Sequence, residues 1–237
     1  MHPSPSPGGA GSCGKHTGSP RGRRSNRPLR KVPFFSLFFL AFLGWGQPTS
    51  FAPLFDGETL HGWEGDSAFF RVEDQCIVAG SLEHPIPGNR FLASTQEFKN
   101  FELQFQAKLI GKGKNAGVQF WSQRLTNSHE MIGYQCDIGS FKEGKLWGWL
   151  YDESRRNKFL ASTKQEPLEQ WVLPKGEWNK MRVQAFDQSI RIWVNNQLTV
   201  DYVELQKNIA SNGKFGLQVH GGPPLEAWYR EIHLRSF

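Results

Sequence analysis

Hydrophobic and polar residues alternate in short runs from Pro53 to the C-terminus. Such runs include NFELQFQAKL, IGYQCDI and SIRIWVN, and Gly, Asn, Asp and Pro residues separate them. Alternation with a period of two is typical of β-strands that bury one face. Little of this region has the longer period of an amphipathic helix, so the pattern predicts an all-β domain.

Two pairs of runs are separated by only two residues, which predicts β-hairpins. RVQAF and SIRIWV flank Asp187-Gln188, and RIWV and QLTVDY flank Asn195-Asn196. Asparagine tolerates the positive φ that these tight turns demand. Many short strands joined by hairpins favour an antiparallel two-sheet sandwich or a barrel over a βαβ fold.

The first fifty residues differ in charge from the rest of the 237-residue chain. They hold seven of the 28 Lys and Arg residues and none of the 22 acidic residues. The formal charge of +6 therefore becomes −1 for the remainder, which has 21 basic residues against 22 acidic ones. The basic character of the whole chain is thus no argument for a nucleic-acid partner.

The same region contains a predicted signal peptide. Val32–Gly46 is an apolar run preceded by Arg30 and Lys31. It is too short to span a bilayer comfortably and has the size of a signal-peptide core. We predict a leader and signal peptide at 1–46, a linker at 47–52 and one domain at 53–237, exported to the periplasm or the extracellular space. The alternative is a membrane anchor that is never cleaved.

The domain retains two cysteines, Cys76 and Cys136. A disulfide is chemically reasonable in an exported protein. However, each cysteine lies within an apolar strand pattern, where a lone Cys behaves as a small buried hydrophobe. We therefore predict two free buried thiols.

Strand parity collects polar and aromatic residues on one face. In the predicted strands GVQFW, YQCDI, LWGWLY and GLQVH, aliphatic side chains alternate with amides, a carboxylate, an imidazole and aromatic rings. Aromatic rings with amides and a carboxylate suit a sugar, whose C–H faces pack on rings and whose hydroxyls take hydrogen bonds. The alternative is an ordinary solvent-exposed face. The predicted substrate-binding residues are Gln119, Trp121, Gln135, Trp147, Trp149, Tyr151 and Gln218.

Several motifs occur together in the order typical of one family. They are LFDGETLHGW, NAGVQFWS, GYQCDIG, GWLYDESRR, GEWNKMRVQAFDQSIRIWVNNQLTVDY and GLQVHGGPPLEAWYREIHL. This part of the chain resembles the 3-keto-disaccharide hydrolase domain family from about Pro53 to the end. The resemblance implies a concanavalin A-like jelly-roll sandwich that acts as a hydrolase or lyase on glycosides oxidised at ring carbon three.

That chemistry needs a base for the proton on carbon two, a group that stabilises the enolate and an acid for the leaving oxygen. His220 is the candidate base, because histidine changes protonation near neutral pH; alternatively it only hydrogen-bonds the turn after it. Asp137 is a candidate base or metal ligand, or else it orients Gln135. Glu153 is the candidate acid. Arg156, or Arg155, would stabilise the enolate, unless these arginines form an exposed ion-pair cluster.

No cofactor is required by the sequence, although a divalent metal ion is a further candidate for the enolate charge. The chain lacks the E-x-D-x-x-E strand motif of ordinary glucanases. Two other functions stay open. One is a carbohydrate-binding domain of the cell envelope that uses the same groove without catalysis, and the other is a structural envelope domain.

The leader analysis generates the first prediction. Because the apolar run ends at Gly46, the mature protein should begin shortly after that residue. Mass spectrometry of the native protein should identify this N-terminus in the fraction outside the membrane. Recovery of the intact leader from membranes would support the uncleaved anchor instead.

Overall fold

The computed structural model describes residues 50–142 and 144–237, so the predicted leader and residues 47–49 lie outside the described residues. The elements within these ranges are, in chain order, β1 (Ala52–Pro53), β2 (Trp63–Glu64), β3 (Phe70–Glu73), β4 (Cys76–Ser81), β5 (Arg90–Ser94), β6 (Phe101–Gly111), β7 (Asn115–Arg124), β8 (Met131–Phe141), β9 (Gly144–Lys145), β10 (Leu150–Glu153), β11 (Lys158–Ala161), α1 (Gln165–Trp171), β12 (Asn179–Phe186), β13 (Ser189–Val194), β14 (Gln197–Val203), β15 (Lys214–Val219) and β16 (Leu225–Ser236).

These strands form two antiparallel sheets. The back sheet has the order β14-β13-β12-β6-β16-β4-β3, with β1 paired to β16. The front sheet has the order β11-β10-β8-β7-β15-β5-β2, with β9 paired to β8. One hydrophobic cluster contains inward residues of both sheets, such as Phe101 and Val183 from the back and Val118 and Cys136 from the front. The predicted two-sheet sandwich is confirmed.

Both predicted hairpins are present. Asp187-Gln188 joins β12 to β13, and Asn195-Asn196 joins β13 to β14. The two asparagines have φ values of 46° and 68°, as such a turn requires. The sequence pattern missed β5 and β11, because RFLAS and KFLA are short and scarcely alternate.

The predicted strand over LWGWLY is wrong at its start. Leu146 to Trp149 form a turn in which the Trp149 N–H donates to the Leu146 carbonyl at 2.9 Å. Gly148 has a φ of 71°, and a Cβ there would lie 2.6 Å from Val194 Cγ2. The turn resets the alternation before β10 begins at Leu150. As a result, Trp147 packs in the hydrophobic core and does not lie on the outer face.

Trp121 is also misplaced by simple alternation. The register between β7 and β8 shifts between Phe120 and Gln123, and Trp121 has a φ of 48°. This bulge turns the indole into the core, where it is 3% exposed and its Nε1–H donates to the Lys99 carbonyl at 2.6 Å. An extra residue in a bulge reverses the face of every side chain that follows it.

A buried ionic network joins the two sheets. Asp152 on β10 is fully buried and accepts hydrogen bonds from Arg155, at 2.8 Å, and from Arg156. The Arg156 guanidinium also lies 2.6 Å from Glu204, which follows β14 of the back sheet. Tyr134 on β8 donates its hydroxyl to Glu204 at 2.8 Å. The charges after β10 therefore serve the contact between sheets.

Cys76 and Cys136 are free and buried, as predicted. Cys136 lies between the sheets, whereas Cys76 packs with Val78 and Trp228 in a separate cluster. The parts of the chain that the structure describes contain no helix long and apolar enough to cross a membrane.

The ionic network generates the second prediction. Glu204→Gln should lower the free energy of unfolding by about 3 kcal/mol, because it leaves the partly buried Arg156 without one carboxylate. Burial alone would raise the pKa of Glu204, but hydrogen bonds from Arg156, the Gln206 N–H and two tyrosines lower it to about 2 from 4.5. This stabilisation is therefore present above about pH 4.5 and is lost as the pH falls towards 2.

Urea denaturation at neutral pH, and then at decreasing pH, would measure this difference. The difference in the free energy of unfolding between the parent protein and Glu204→Gln should become smaller as the pH falls. Glu83→Gln is the matched control, because the Glu83 side chain is 86% exposed. Equal stability of the Glu204 and Glu83 variants at neutral pH would contradict the assigned role.

Candidate functional site

A cavity of about 430 Å³ lies on the outer face of the front sheet. This volume is within the range of small-molecule sites. Most of its polar residues come from β8, β10, the β10–β11 hairpin and the loop after β15, with Asn89 before β5 and Asn115 on β7, while β10, β11 and the end of β8 supply the aromatic ones. The lining residues are Asn89, Asn115, Gln135, Asp137, Phe141, Leu146, Tyr151, Glu153, Asn157, Lys158, Phe159 and His220.

Two carboxyl groups in the cavity are linked through two amides. Gln135 Nε2 donates to Asp137 Oδ1 at 2.7 Å and to Gln218 Oε1 at 3.3 Å. Gln218 Nε2 in turn donates to Glu153 Oε2 at 3.5 Å. Strand parity had placed Gln135, Asp137 and Gln218 on one face, and the structure brings them together with Glu153, the candidate acid.

Gln135 depends on a glycine in the neighbouring strand. A Cβ at Gly117 would lie 2.6 Å from Gln135 Cδ, so a larger residue would displace the amide. Gln135 Oε1 is buried and has no hydrogen-bond partner among the described residues. Asn115 Oδ1 is in the same condition. Both atoms are acceptors that a ligand hydroxyl would satisfy.

Burial controls the charge of Asp137. Desolvation raises its pKa from 3.8 to about 8, against the hydrogen bond from Gln135, and the charge of Glu153 raises it further. Asp137 is therefore a neutral acid at neutral pH and can donate a hydrogen bond. Burial also raises the pKa of Glu153, and the nearby charge of Glu130 adds to the effect.

His220 lines the cavity with a defined tautomer. Its Nδ1 lies 2.6 Å from the Gly221 carbonyl oxygen. A carbonyl can only accept, so Nδ1 carries the proton, and Nε2 of the neutral ring is left as an acceptor. Asn89 Oδ1 accepts from the Gly221 N–H at 3.1 Å and holds this turn. His220 thus makes the predicted contact with its turn and also borders the cavity.

The aromatic wall differs from the one that the sequence suggested. Tyr151 lines the cavity as predicted, together with Phe141 and Phe159. Trp149 packs behind this wall, edge-to-face on Phe159 with ring centroids 5.0 Å apart. Two signals for the missed residues were available. Phe141 has the strand parity of Asp137, and Phe159 pairs with Tyr151 in the β10–β11 hairpin.

Four other predicted residues lie outside the cavity lining. Gln218 is fully buried and reaches the lining only through its hydrogen bonds with Gln135 and Glu153. Gln119 is fully buried, and its nearest partner is the Met131 carbonyl at 3.4 Å. Arg155 and Arg156 lie in the ionic network, with both guanidiniums near the Tyr134 ring on the core side of the sheet. Their charge is paired with Asp152 and Glu204, so neither arginine is available to stabilise an enolate in the cavity.

A metal ion does not fit the described residues well. Residues 50–142 and 144–237 contain no group of three His, Cys, Asp or Glu side chains placed to ligate one ion. Asp137 is also engaged by Gln135 and favours the protonated form. We therefore derive no catalytic step through a metal.

The two antiparallel sheets, with a polar and aromatic cavity on the outside of one sheet, define a jelly-roll sandwich with a cavity of small-molecule size. Comparison with known families agrees with this class. The chain belongs to the family described as the 3-keto-alpha-glucoside-1,2-lyase-like domain, whose model matches residues 50–235. The resemblance seen in the sequence motifs is confirmed.

Individual relatives are more distant. A 3-keto-disaccharide hydrolase of Bacteroides thetaiotaomicron is 24% identical over 230 residues, which cover 77% of each chain. The fold is similar to that of a candidate glycosyl hydrolase from Parabacteroides distasonis, with a TM-score of 0.58, 19% identity and coverage of 79% of this chain and 94% of that one. Carbohydrate binding module CBM66 from Bacillus subtilis matches with a TM-score of 0.56, 14% identity and coverage of 74% and 96%.

The protonation of Asp137 generates the third prediction. The folded protein holds this proton up to a pKa of about 8, whereas the ordinary value is 3.8. The stabilisation is complete below about pH 3.8 and is lost as the pH rises through about 8. Since Asn cannot titrate, the free energy of unfolding of Asp137→Asn should decline less across this window.

Chemical denaturation of the parent protein and of Asp137→Asn between about pH 3.8 and 8 would show how the free energy of unfolding of each changes with pH. Asp74→Asn is the control, because Asp74 is exposed and its φ of 48° is one that Asn tolerates. Parallel curves for the parent protein and Asp137→Asn would show that Asp137 is ionised throughout.

Proposed function

We propose that this protein cleaves 3-keto-glycosides by removing the proton next to the ketone and expelling the glycosidic oxygen. The observation that carries the proposal is one cavity with two complementary groups. In the neutral form of His220, Nδ1 holds the proton and Nε2 is the acceptor, and Asp137 is a neutral acid. Such a pair removes and supplies protons at the same pH, as enolisation requires.

The reaction proceeds in two stages. His220 Nε2 takes the proton from carbon two, and the C–H electron pair forms the carbon two–carbon three double bond of an enolate. Asp137 donates a hydrogen bond to the enolate oxygen and so lowers the energy of the developing charge. When the enolate collapses, the carbon one–oxygen bond breaks, and the leaving oxygen takes up a proton. Glu153 is the candidate acid for this transfer, because its pKa is raised.

The first product is an unsaturated ketone. Addition of water at carbon one then restores the 3-keto sugar and completes net hydrolysis, whereas release before this addition gives the lyase outcome. Phe141, Tyr151 and Phe159 provide apolar surface for the C–H face of the ring. The Oε1 atom of Gln135 and the Oδ1 atom of Asn115 are free to accept sugar hydroxyls.

Family membership and the name of the Bacteroides relative support the substrate class. A carbohydrate-binding domain without catalysis is the second candidate. The similarity to a carbohydrate binding module and the aromatic wall of the cavity favour it. Both functions take a carbohydrate ligand, and we propose export on the basis of the leader composition.

The fourth prediction separates these functions. His220→Ala should lower the turnover of a 3-keto-glucoside by about two to four orders of magnitude, the usual scale for a general base. Binding of the sugar should change little, because the variant keeps the aromatic wall and the amides. Aglycone release measures turnover, and calorimetry with the unoxidised glucoside measures binding.

His84→Ala is the matched control, since the His84 side chain is 82% exposed and lies outside the cavity. Trp149→Ala should chiefly raise KM, because it removes the support of Phe159 and no proton-transfer group. If the His220 variant is folded and keeps the parental turnover while an Asp137 variant is inactive, the base is the Asp137 carboxyl and not His220. Sugar binding without turnover by the parent protein would establish the binding-domain function.

A further inference from the structure

A second cavity of about 440 Å³ adjoins the candidate site. Three residues, Asn115, Phe141 and His220, line both cavities, so a ligand can pass from one to the other beside the imidazole. The remaining wall of the second cavity is formed by the loop between β6 and β7, the end of β8 and the turn after β15. The proposed mechanism does not use this space.

The geometry of the proposed reaction places the leaving group here. His220 removes the proton from carbon two, and the bond that breaks starts from carbon one, the next ring atom. With the sugar ring among Asp137, Tyr151 and Glu153, the group on carbon one extends past His220. His220 lines the second cavity as well as the first, so the second cavity is the adjacent space for this group.

Lysines give this second cavity its electrostatic character. Lys112, Lys114 and Lys142 all line it, and within the described residues none of them forms a salt bridge. A fourth lysine, Lys175, donates to the Gly113 carbonyl at 2.8 Å and to the Gly111 carbonyl in the same loop. Burial and the charge of Lys114 lower the pKa of Lys175, which shows how near these positive charges lie.

The first cavity is less positive, because its wall holds one lysine, Lys158, beside the carboxyl groups of Asp137 and Glu153. We infer that the second cavity is a leaving-group subsite and that it selects 3-keto-glycosides whose leaving group carries a carboxylate or another anion. The leaving-group role of this cavity rests on the proposed function, because it requires the reaction described above. The anion preference rests separately on the lysines, whose summed field attracts a negative group and repels a cation.

A matched pair of substrates tests the preference. The 3-keto-glucosides of 4-hydroxyphenylacetate and of 4-hydroxyphenylacetamide have the same phenolic leaving oxygen, and the aromatic ring and a methylene group separate it from the part that differs. The parent protein should have a kcat/KM about five- to tenfold higher for the carboxylate, the scale of a few partly solvated ion pairs. Added salt should reduce the ratio, because the lysines are exposed.

A triple variant, Lys112→Gln, Lys114→Gln and Lys142→Gln, should bring the ratio to about one, because the carboxylate then loses the positive charges that favour it over the amide. The control is a second triple variant of equal charge, Lys99→Gln, Lys164→Gln and Lys207→Gln, built on exposed lysines that line neither cavity. It should keep the parental ratio. Equal ratios in the two triple variants would overturn the inference.

Binding of the free leaving groups separates this inference from the proposed function. Calorimetry should show tighter binding of 4-hydroxyphenylacetate than of its amide to the parent protein, and loss of that difference in the first triple variant. Turnover of both substrates with a ratio near one overturns the subsite and leaves the reaction standing. If neither substrate is cleaved, the proposed function fails, and equal binding of the two free compounds then overturns the anion site as well.

Discussion

The fully buried carboxylate of Asp152 is the contact on which the arrangement of the front sheet depends. It faces inward from β10, where Arg155 and Arg156 neutralise it and Arg156 extends to Glu204 of the back sheet. Burying one charge would be costly, so the whole group must assemble together. Because successive residues of a strand point to opposite faces, fixing Asp152 inward also fixes Tyr151 and Glu153 outward, at the cavity.

The electrostatics of the cavity follow from what surrounds each group. Asp137 is buried and receives one amide hydrogen bond, which does not compensate for lost water, so its neutral form is favoured. His220 lies at the rim, where a backbone carbonyl determines which ring nitrogen holds the proton. A proton donor and a proton acceptor thus line the same cavity, each held there by ordinary sheet or turn geometry.

The sequence predicted those parts of the site that lie in regular strands. Alternation correctly placed Gln135, Asp137 and Gln218 on one face, since β8 and β15 keep their period through these residues. It failed for Trp121 and Trp147, because a positive φ interrupts the period at each site. Trp121 itself has this conformation, and Trp147 directly precedes Gly148, which has it. The bulge at Trp121 also coincides with a register shift between β7 and β15, a strand remote in the sequence, which alternation along one strand cannot reveal. The ionic network was foreseen only as a local cluster, since Glu204 lies 48 residues from Arg156.

The separation of core and cavity on opposite faces of β8 and β10 has an evolutionary consequence. Residues such as Tyr151 and Phe159 contribute little to the packing between the sheets, so they can change while the sandwich persists. Ligand preference in this architecture can therefore drift by single substitutions, each nearly neutral for folding, whereas Asp152 and its partners must change together or not at all. Descendants of one such ancestor would be expected to differ most at the cavity wall and least beneath it.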